Sequence, residues 1–138
     1  EPRAVNAPEI CVGAIAVDAD RLLMIRRGHG PAAGQWSVPG GRVEAGELLA
    51  EAVVRELWEE TAVEGVCGEL VGWVERFDED RHHVILDFRV AVLEATTPTA
   101  GDDAAEARWV PLSDIAELNL VDGLAEFLHE HGILATIT

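Results

Sequence analysis

Short runs of apolar residues, separated by polar turns, follow one another along the chain and predict a series of strands. Residues 10–17 (ICVGAIAV) predict a buried strand, and residues 21–27 (RLLMIRR) predict a second, with residues 18–20 as the hairpin between them. The remaining predicted strands span residues 36–38, 66–77, 83–95 and 107–112. Acidic residues 78–80 mark the turn between the two longest strands.

Two longer segments predict helices. Residues 47–62 are rich in Leu, Ala and Glu and contain almost no helix breaker. Residues 121–131 predict a closing helix that Gly132 ends, and Ser113 predicts the N-cap of a short helical turn. Strands, one helix, strands and a last helix in this order predict an α/β sandwich around a mixed sheet.

The length of 138 residues predicts one domain. We expect residues 10–138 to form it, after a polar tail over residues 1–9 that lacks a signal-peptide pattern. No apolar run approaches the roughly 20 residues of a membrane span, so no membrane association is expected.

The charge is strongly acidic, with 10 basic against 26 acidic residues and a net charge of −16. Such a surface disfavours a nucleic-acid polymer as partner, since phosphates require basic neutralisation. It suits a protein that gathers divalent cations, and it equally suits simple solubility. All ten basic residues are Arg, so a charged contact to phosphate must come from a guanidinium group.

The two cysteines, Cys11 and Cys67, follow no metal-binding or redox spacing. Each lies among apolar residues, which favours buried free thiols in a reducing compartment over a disulfide. We therefore expect a cytoplasmic location.

Three glutamates crowd one side of the first predicted helix. Glu56, Glu59 and Glu60 fall within an arc of about 100° on a helical wheel, beside an apolar stripe. The stripe comprises Ala50, Val53, Val54 and Leu57. Like charges at this spacing repel, and the helix C-terminus disfavours anions. A divalent cation such as Mg²⁺ or Mn²⁺ would reverse both penalties, whereas the alternative is a solvated acidic face.

The residues around these glutamates follow a longer pattern. Gly41, Glu47, Arg55, Glu56, Leu57, Glu59, Glu60 and Val63 fit G-x5-E-x7-R-E-U-x-E-E-x-G-U, where U is aliphatic. This pattern resembles the signature of the Nudix hydrolase family, with Ala62 in place of the late glycine. Residues 35–44, which lead into this pattern, and the predicted strand at residues 107–112 also resemble the corresponding segments of the family. The resemblance covers about residues 10–131 and implies a Nudix-like α/β/α sandwich.

The resemblance implies a Mg²⁺- or Mn²⁺-dependent pyrophosphohydrolase acting on a nucleoside diphosphate linked to another moiety. It implies that Glu56 and Glu60 are metal ligands and that Glu59 is a third ligand or the base that activates water. Pro39-Gly40-Gly41 lets the backbone approach a ligand or substrate, with the Gly40 carbonyl as the implied backbone ligand. Arg55 and Glu47 are expected to bridge the preceding loop and the helix.

Family members often add an acidic residue from a later loop, and Asp103 is the first candidate here, followed by Glu106. Arg26 or Arg27 is expected to contact the substrate, and strand alternation allows only one of them to face the site. The histidines His29, His82 and His83 are expected at the surface, with a pocket position for His83 left open. Core packing is expected for Trp36 and Trp73, with base stacking as the alternative.

The substrate is less well defined by the sequence. The family's markers for ADP-ribose, dinucleoside polyphosphates and coenzyme A are absent, which favours a nucleoside triphosphate cleaved to monophosphate and pyrophosphate, as in MutT-type members. A sugar-linked nucleoside diphosphate and a non-catalytic nucleotide-sensing module remain open, as does a homodimer. Since Ala62 replaces the glycine, the first helix is expected to run on to residue 63 or 64, with Gly65 supplying the break.

Overall fold

The computed structural model describes residues 7–101 and 103–135. The expected tail over residues 1–9 lies mostly outside these, and the described chain enters its first strand at Glu9. The strands are β1 (Glu9–Asp18), β2 (Arg21–Arg27), β3 (Trp36–Ser37), β4 (Gly40–Arg42), β5 (Gly65–Asp78), β6 (Arg81–Val92) and β7 (Ala104–Pro111). The helices are α1 (Leu49–Thr61), α2 (Leu124–Glu130) and a 3₁₀ helix at Leu112–Glu117.

The strands form a mixed sheet in the order β3-β2-β1-β6-β5, with β4 also paired to β1 and β7 to β2. Strands β1 and β6 run parallel, and the other pairs are antiparallel. The mixed α/β architecture predicted from the sequence is confirmed.

Alternate residues of β1 face two apolar cores. Val12, Ala14 and Ala16 pack with Val53 and Leu57 of α1 on one side of the sheet. The next core, on the other side, contains Ile15 of β1 and the apolar face of α2. This alternation is the strand period of two, and it fixes which side of β1 faces each helix. Two members of the predicted α1 stripe deviate from it, since Ala50 is exposed and Val54 half-buried, while Ala52 is buried.

Strand β4 was not expected from the sequence, because glycine is depleted in strands and gives no strand pattern. It pairs Gly40 with Gly13 and Gly41 with Val12 of β1. A side chain at Gly40 would place its Cβ 2.2 Å from the Val12 carbonyl oxygen, so only glycine fits there. The two glycines thus bring bare backbone beside the start of β1.

The end of α1 differs from the expectation. The helix stops at Thr61, and Ala62 itself adopts the left-handed conformation, with φ 59° and ψ 26°. The prediction that α1 continues to residue 63 or 64 is therefore wrong. Gly65 is not the break either, because it lies in β5 where a Cβ would be 2.4 Å from Val90. Alanine accepts a geometry that glycine adopts without steric cost.

Replacing Ala62 with glycine is therefore expected to stabilise the protein by about 0.5 to 1 kcal/mol, because the relief of left-handed strain exceeds the added backbone entropy of the unfolded chain. The measurement is the free energy of unfolding in urea. The matched control is Ala50→Gly, the same change at an exposed helical position, which should destabilise. Equal destabilisation by both variants would contradict this interpretation.

Several other boundaries also need correction. The 3₁₀ helix has Pro111 at its N-cap, so Ser113 does not cap it. Helix α2 begins at Leu124, three residues later than expected, because Gly123 with φ 84° precedes it. Strand β7 starts at Ala104, three residues before the predicted strand at 107–112.

The aromatic and sulfur side chains divide between core and surface. Trp36 is buried as expected, but Trp73 is 58% exposed, so core packing is wrong for it. Cys11 and Cys67 are both free thiols and half-buried rather than buried. No helix among the described residues is long and apolar enough to cross a membrane.

Candidate active site

Arg55 is the centre of an ionic network at the start and on one face of α1. Its Nε and Nη2 donate to the two Glu47 carboxylate oxygens at 2.6 and 2.9 Å, and Nη2 also donates to the Arg42 carbonyl at 3.0 Å. The fork holds the pKa of Glu47 well below its usual range, at about 2. The bridge expected between Arg55 and Glu47 is therefore present, and it ties the loop before α1 to the helix.

The remaining nitrogen of Arg55, Nη1, forms hydrogen bonds with two of the three glutamates on α1. Nη1 donates to a carboxylate oxygen of Glu56 and to one of Glu59, each at 3.0 Å. Glu56 is largely buried in this position, whereas the Glu59 side chain is 54% exposed. Burial raises the pKa of Glu56, and Arg55 only partly opposes that effect. A further positive charge near Glu56 would therefore stabilise its ionised form.

Glycine in β4 allows Glu56 to approach the backbone. A Cβ at Gly41 would lie 2.4 Å from a Glu56 carboxylate oxygen. The glycine of the sequence pattern is needed here because the carboxylate fills the space of a side chain.

Glu60 lies on the same side, one helical turn beyond Glu56. Its carboxylate accepts a 2.7 Å hydrogen bond from the Gly40 N–H, and the residue is only 9% exposed. Burial raises the pKa of Glu60 to about 7, and the charge of Glu56 adds to this effect. A positive charge beside this carboxyl would oppose both effects and favour its ionised form.

The loop before β7 docks on the end of α1. Thr99 donates its N–H to the Thr61 carbonyl at 2.8 Å, and Gly101 donates to the Glu60 carbonyl at 3.0 Å. A Cβ at Gly101 would lie 1.7 Å from the Glu59 carbonyl oxygen, so this contact depends on glycine. These bonds satisfy carbonyls that a helix end leaves free. Sequence reasoning did not identify Gly101 or Thr99.

Of the two candidate acids, Asp103 lies in this loop, whereas Glu106, also expected there, lies in β7. The charge of Asp103 contributes to the raised pKa of Glu60, although its side chain is 82% exposed and 3.9 Å from His29. Glu106 instead pairs with Arg26 at 3.4 Å and with Arg108 at 3.6 Å. Asp103 is therefore the loop acid whose charge reaches the glutamates.

The two arginines at the end of β2 have different partners, and the pairing of β2 with β7 is irregular between them. Arg26 is occupied by Glu106, whereas the exposed Arg27 lowers the pKa of Glu60 through its charge. Arg27 is thus the one of the two arginines whose charge acts on Glu60.

The three histidines lie apart from the glutamates. His82 is 2.8 Å from Glu75 and stacks on Phe77, and the exposed His29 lies near Asp103. His83 is half-buried, with Nδ1 3.9 Å from the Cys11 sulfur. His29 is exposed as expected, whereas His82 and His83 are both half-buried.

A family model described as a NUDIX domain matches residues 7–131, which covers the whole sheet, the network of Arg55 and helix α2. The chain belongs to the Nudix hydrolase family. It is 37% identical over 112 residues to an ADP-ribose pyrophosphatase of Methanocaldococcus jannaschii, an alignment that covers 80% of this chain and 66% of that protein. It is 30% identical over 95 residues to a putative 8-oxo-dGTP diphosphatase of Bacillus subtilis, covering 67% and 59% of the two chains.

Nudix structures also share the architecture. The MutT protein of Methanosarcina mazei superposes with a TM-score of 0.82 at 26% identity, covering 94% of this chain and 97% of that one. The chain spans slightly less than two thirds of the length of the archaeal ADP-ribose pyrophosphatase.

Nudix enzymes act with divalent cations, and the acidic residues of this Nudix domain suit such an ion only in part. Across residues 7–101 and 103–135, no three carboxylate, imidazole or thiol side chains converge closely enough to enclose a cation as they stand. Glu56 and Glu60 fit as a pair of hard oxygen ligands, since Glu56 is half-buried and Glu60 buried, both have a raised pKa and both adjoin glycine backbone. Glu59 would join them only by leaving Arg55.

The raised pKa of Glu60 predicts an unusual pH dependence for this Nudix domain without metal. Between pH 4.5 and about 7 the folded state binds more protons than the unfolded chain, so the free energy of unfolding falls as pH rises. Glu47, with its pKa lowered to about 2, acts oppositely below pH 4.5. Stability should therefore be greatest near pH 5 and decline by about 2 kcal/mol towards pH 8.

Urea unfolding in EDTA from pH 4 to 8 measures this profile. Glu60→Gln, which removes one titrating group, should make the decline above pH 5 smaller, and the raised pKa values of Glu56 and Asp87 account for the part that stays. A wild-type stability that rises steadily to pH 8 would contradict the environment described for Glu60.

Proposed function

We propose that this chain is a divalent-cation-dependent pyrophosphohydrolase that cleaves a nucleoside diphosphate linked to another moiety. The observation that carries the proposal is the pair of half-buried Glu56 and buried Glu60, two carboxyls with raised pKa beside the backbone of β4. Such a pair destabilises the folded state unless a positively charged partner balances its negative charge. Mg²⁺ is the expected ion, with Mn²⁺ as the alternative.

Each residue of the cluster has a proposed role. Glu56, Glu60 and the Gly40 carbonyl hold the cation, which when bound offsets the pyrophosphate charge and activates water. Glu59 is the third ligand or the base, and its exposure leaves it free to change partner.

The residues around these ligands position them and the substrate. Arg55 and Glu47 fix the position of α1 relative to the loop before it. Arg27, whose charge reaches Glu60, is the proposed contact to the phosphates, near the glycine backbone at Gly41. Asp103 supplies a further negative charge from its loop.

Two substrate classes follow from different observations. The lack of the family's markers for other substrates in the sequence favours nucleoside triphosphates, cleaved to monophosphate and pyrophosphate. The similarity to a protein named ADP-ribose pyrophosphatase favours a sugar-linked nucleoside diphosphate instead. Both classes are small nucleotides, and we expect the protein to act on them in the cytoplasm. Its net charge of −16 disfavours a nucleic-acid polymer as partner.

A non-catalytic nucleotide-sensing module is the competing class. The retention of Arg55 and all three glutamates argues for catalysis, since a module that only binds has no need for the complete set.

The test is a panel of nucleoside triphosphates and nucleoside diphosphate sugars incubated with Mg²⁺, with products separated by ion-exchange chromatography. Release of pyrophosphate from triphosphates supports the first class, and release of a nucleoside monophosphate from ADP-ribose supports the second. Binding of several nucleotides without turnover of any would identify the sensing module and overturn the proposal.

A further inference from the structure

A second buried carboxylate lies outside the glutamate cluster. Asp87, in the middle of β6, is 5% exposed and forms no side-chain hydrogen bond or ion pair with another described residue. Every side-chain oxygen of the described residues that is fully shielded from solvent has a hydrogen-bond partner. Since the Asp87 oxygens have none among these residues, they keep some access to solvent. Burial raises the pKa of Asp87 to about 6, with only the charge of Arg76 opposing it. An acid held this way needs a donor that the described residues do not supply.

The strand register places Asp87 in line with the glycine backbone that contacts Glu60. Gly40 pairs with Gly13 across β4 and β1, and Gly13 pairs with Asp87 across β1 and β6. Two strand spacings separate Gly40 from Asp87, or about 10 Å. Among the described strands β4 pairs with β1 alone, so a substrate with its phosphates near Gly40 can pass the unpaired edge of β4 from the α1 side and reach Asp87 on the α2 side with the group that it carries.

Glycine makes room for this carboxylate. A Cβ at Gly13 would lie 2.0 Å from the Asp87 Oδ1 and 3.4 Å from Val38. On the other side, Gly72 pairs with Asp87, and a Cβ there would lie 2.6 Å from the His131 ring. Asp87 thus faces the side of the sheet that carries α2, with no side chain on either paired neighbour.

A half-buried apolar strip lies beside Asp87 on the same side of the sheet. Ile85 precedes it by two residues on β6, and Cys11 and Val74 are the register partners of Ile85 on β1 and β5. All three side chains are half-buried. Apolar side chains next to one buried polar group are typical of a site for a flat, mostly apolar ligand with a polar edge.

We infer that Asp87 determines substrate specificity by accepting hydrogen bonds from the N–H edge of the nucleobase. This rests on the proposed function, because the base is taken to belong to the nucleotide whose phosphates lie at Glu56 and Glu60. The strip of Cys11, Val74 and Ile85 contacts the face of the base.

The chemistry of a carboxylate selects among bases. Its two oxygens accept side by side, so they match an edge with two adjacent N–H donors, which guanine has at N1 and its 2-amino group. Adenine and cytosine offer a donor next to an acceptor, and the acceptor would face a carboxylate oxygen. Asparagine at this position would instead match the edge of adenine or cytosine.

The test compares GTP, ITP and ATP as substrates of the wild type and of Asp87→Asn, with Mg²⁺. ITP lacks the 2-amino group and keeps the N1 donor. The wild type should prefer GTP to ATP by about tenfold or more in kcat/KM, with ITP between them. Asp87→Asn should lose that preference, mainly through a higher KM for GTP. The matched control is Asp114→Asn at an exposed site on the 3₁₀ helix, which should change neither ratio.

Two outcomes would overturn the inference: a wild type that prefers ATP, or a GTP-to-ATP ratio that stays within twofold in Asp87→Asn while the variant is folded by circular dichroism. Calorimetry measures the affinity of GTP and of ATP for Glu60→Gln and for the double variant Glu60→Gln/Asp87→Asn. This comparison tests base recognition without turnover and so separates the inference from the proposed function. Absence of turnover in the wild type together with Asp87-dependent GTP binding would refute the hydrolase and support the role of Asp87.

Discussion

Glu60→Gln is expected to lower Mg²⁺-dependent hydrolysis by about a thousandfold or more while leaving the fold intact. Glutamine keeps the shape of the side chain and can still accept the Gly40 N–H bond. It removes the charge that would hold a cation, which is worth several kcal/mol of transition-state stabilisation. Because the buried carboxylate disfavours its charged form at neutral pH, the variant should also be more stable than the wild type without metal.

The paired readout distinguishes an active-site role from a structural one. A structural glutamate would lose stability and activity together when replaced, whereas Glu60→Gln should lose activity and gain stability. Steady-state product release and urea unfolding at pH 7.5 measure the two. The control is Glu126→Gln at an exposed position of α2, which should alter neither. Undiminished turnover of a wild-type substrate by Glu60→Gln would show that the site is misassigned.

Arg55→Met carries the largest expected cost to stability, about 3 kcal/mol. The side chain is 22% exposed and bonds Glu47, Glu56 and Glu59 at once, so its loss leaves partly buried carboxylates facing one another. Activity should fall as well, because the Arg42 carbonyl and Glu47 would no longer hold the loop against α1.

Urea unfolding of Arg55→Met, Arg55→Lys and Arg81→Met measures this cost. Lysine restores the charge without the planar fork and should recover only part of the stability. Arg81 forms an exposed ion pair with Glu9 at 3.8 Å, so its replacement should cost less than about 1 kcal/mol. If Arg55→Met costs no more than Arg81→Met, the network does not stabilise the site.

The sequence predicts most of the fold because strand alternation and helix composition are local signals. Strand β2 has the predicted bounds, and the Arg55–Glu47 bridge follows from the family spacing. Strand β4 could not be predicted, because its pairing depends on the close approach of Val12 and Gly13 to glycine. That approach is a tertiary contact without a local pattern.

The end of α1 shows how tertiary contacts override local preference. Ala62 was expected to let the helix continue, but the Thr61 and Glu60 carbonyls accept bonds from Thr99 and Gly101. These bonds come from nearly 40 residues away, and they offset a left-handed strain of about 1–2 kcal/mol. The sequence near Ala62 does not predict these hydrogen bonds.

Asp87 was missed for a related reason. Its only signal is a single acid within the apolar run VILDFRV, and alternation alone does not tell which side of the sheet it faces. The register with Gly13 and Gly72 supplies that information.

Binding of Mn²⁺ to the purified protein tests most directly whether the carboxylates of α1 gather a divalent cation. Calorimetric titration of the wild type, of Glu56→Gln/Glu60→Gln and of the control Glu126→Gln is the measurement. We predict that the wild type and the control bind Mn²⁺ and that the double variant loses this binding. Equal binding by the double variant, or none by a folded wild type in the presence or absence of nucleotide, would contradict the account.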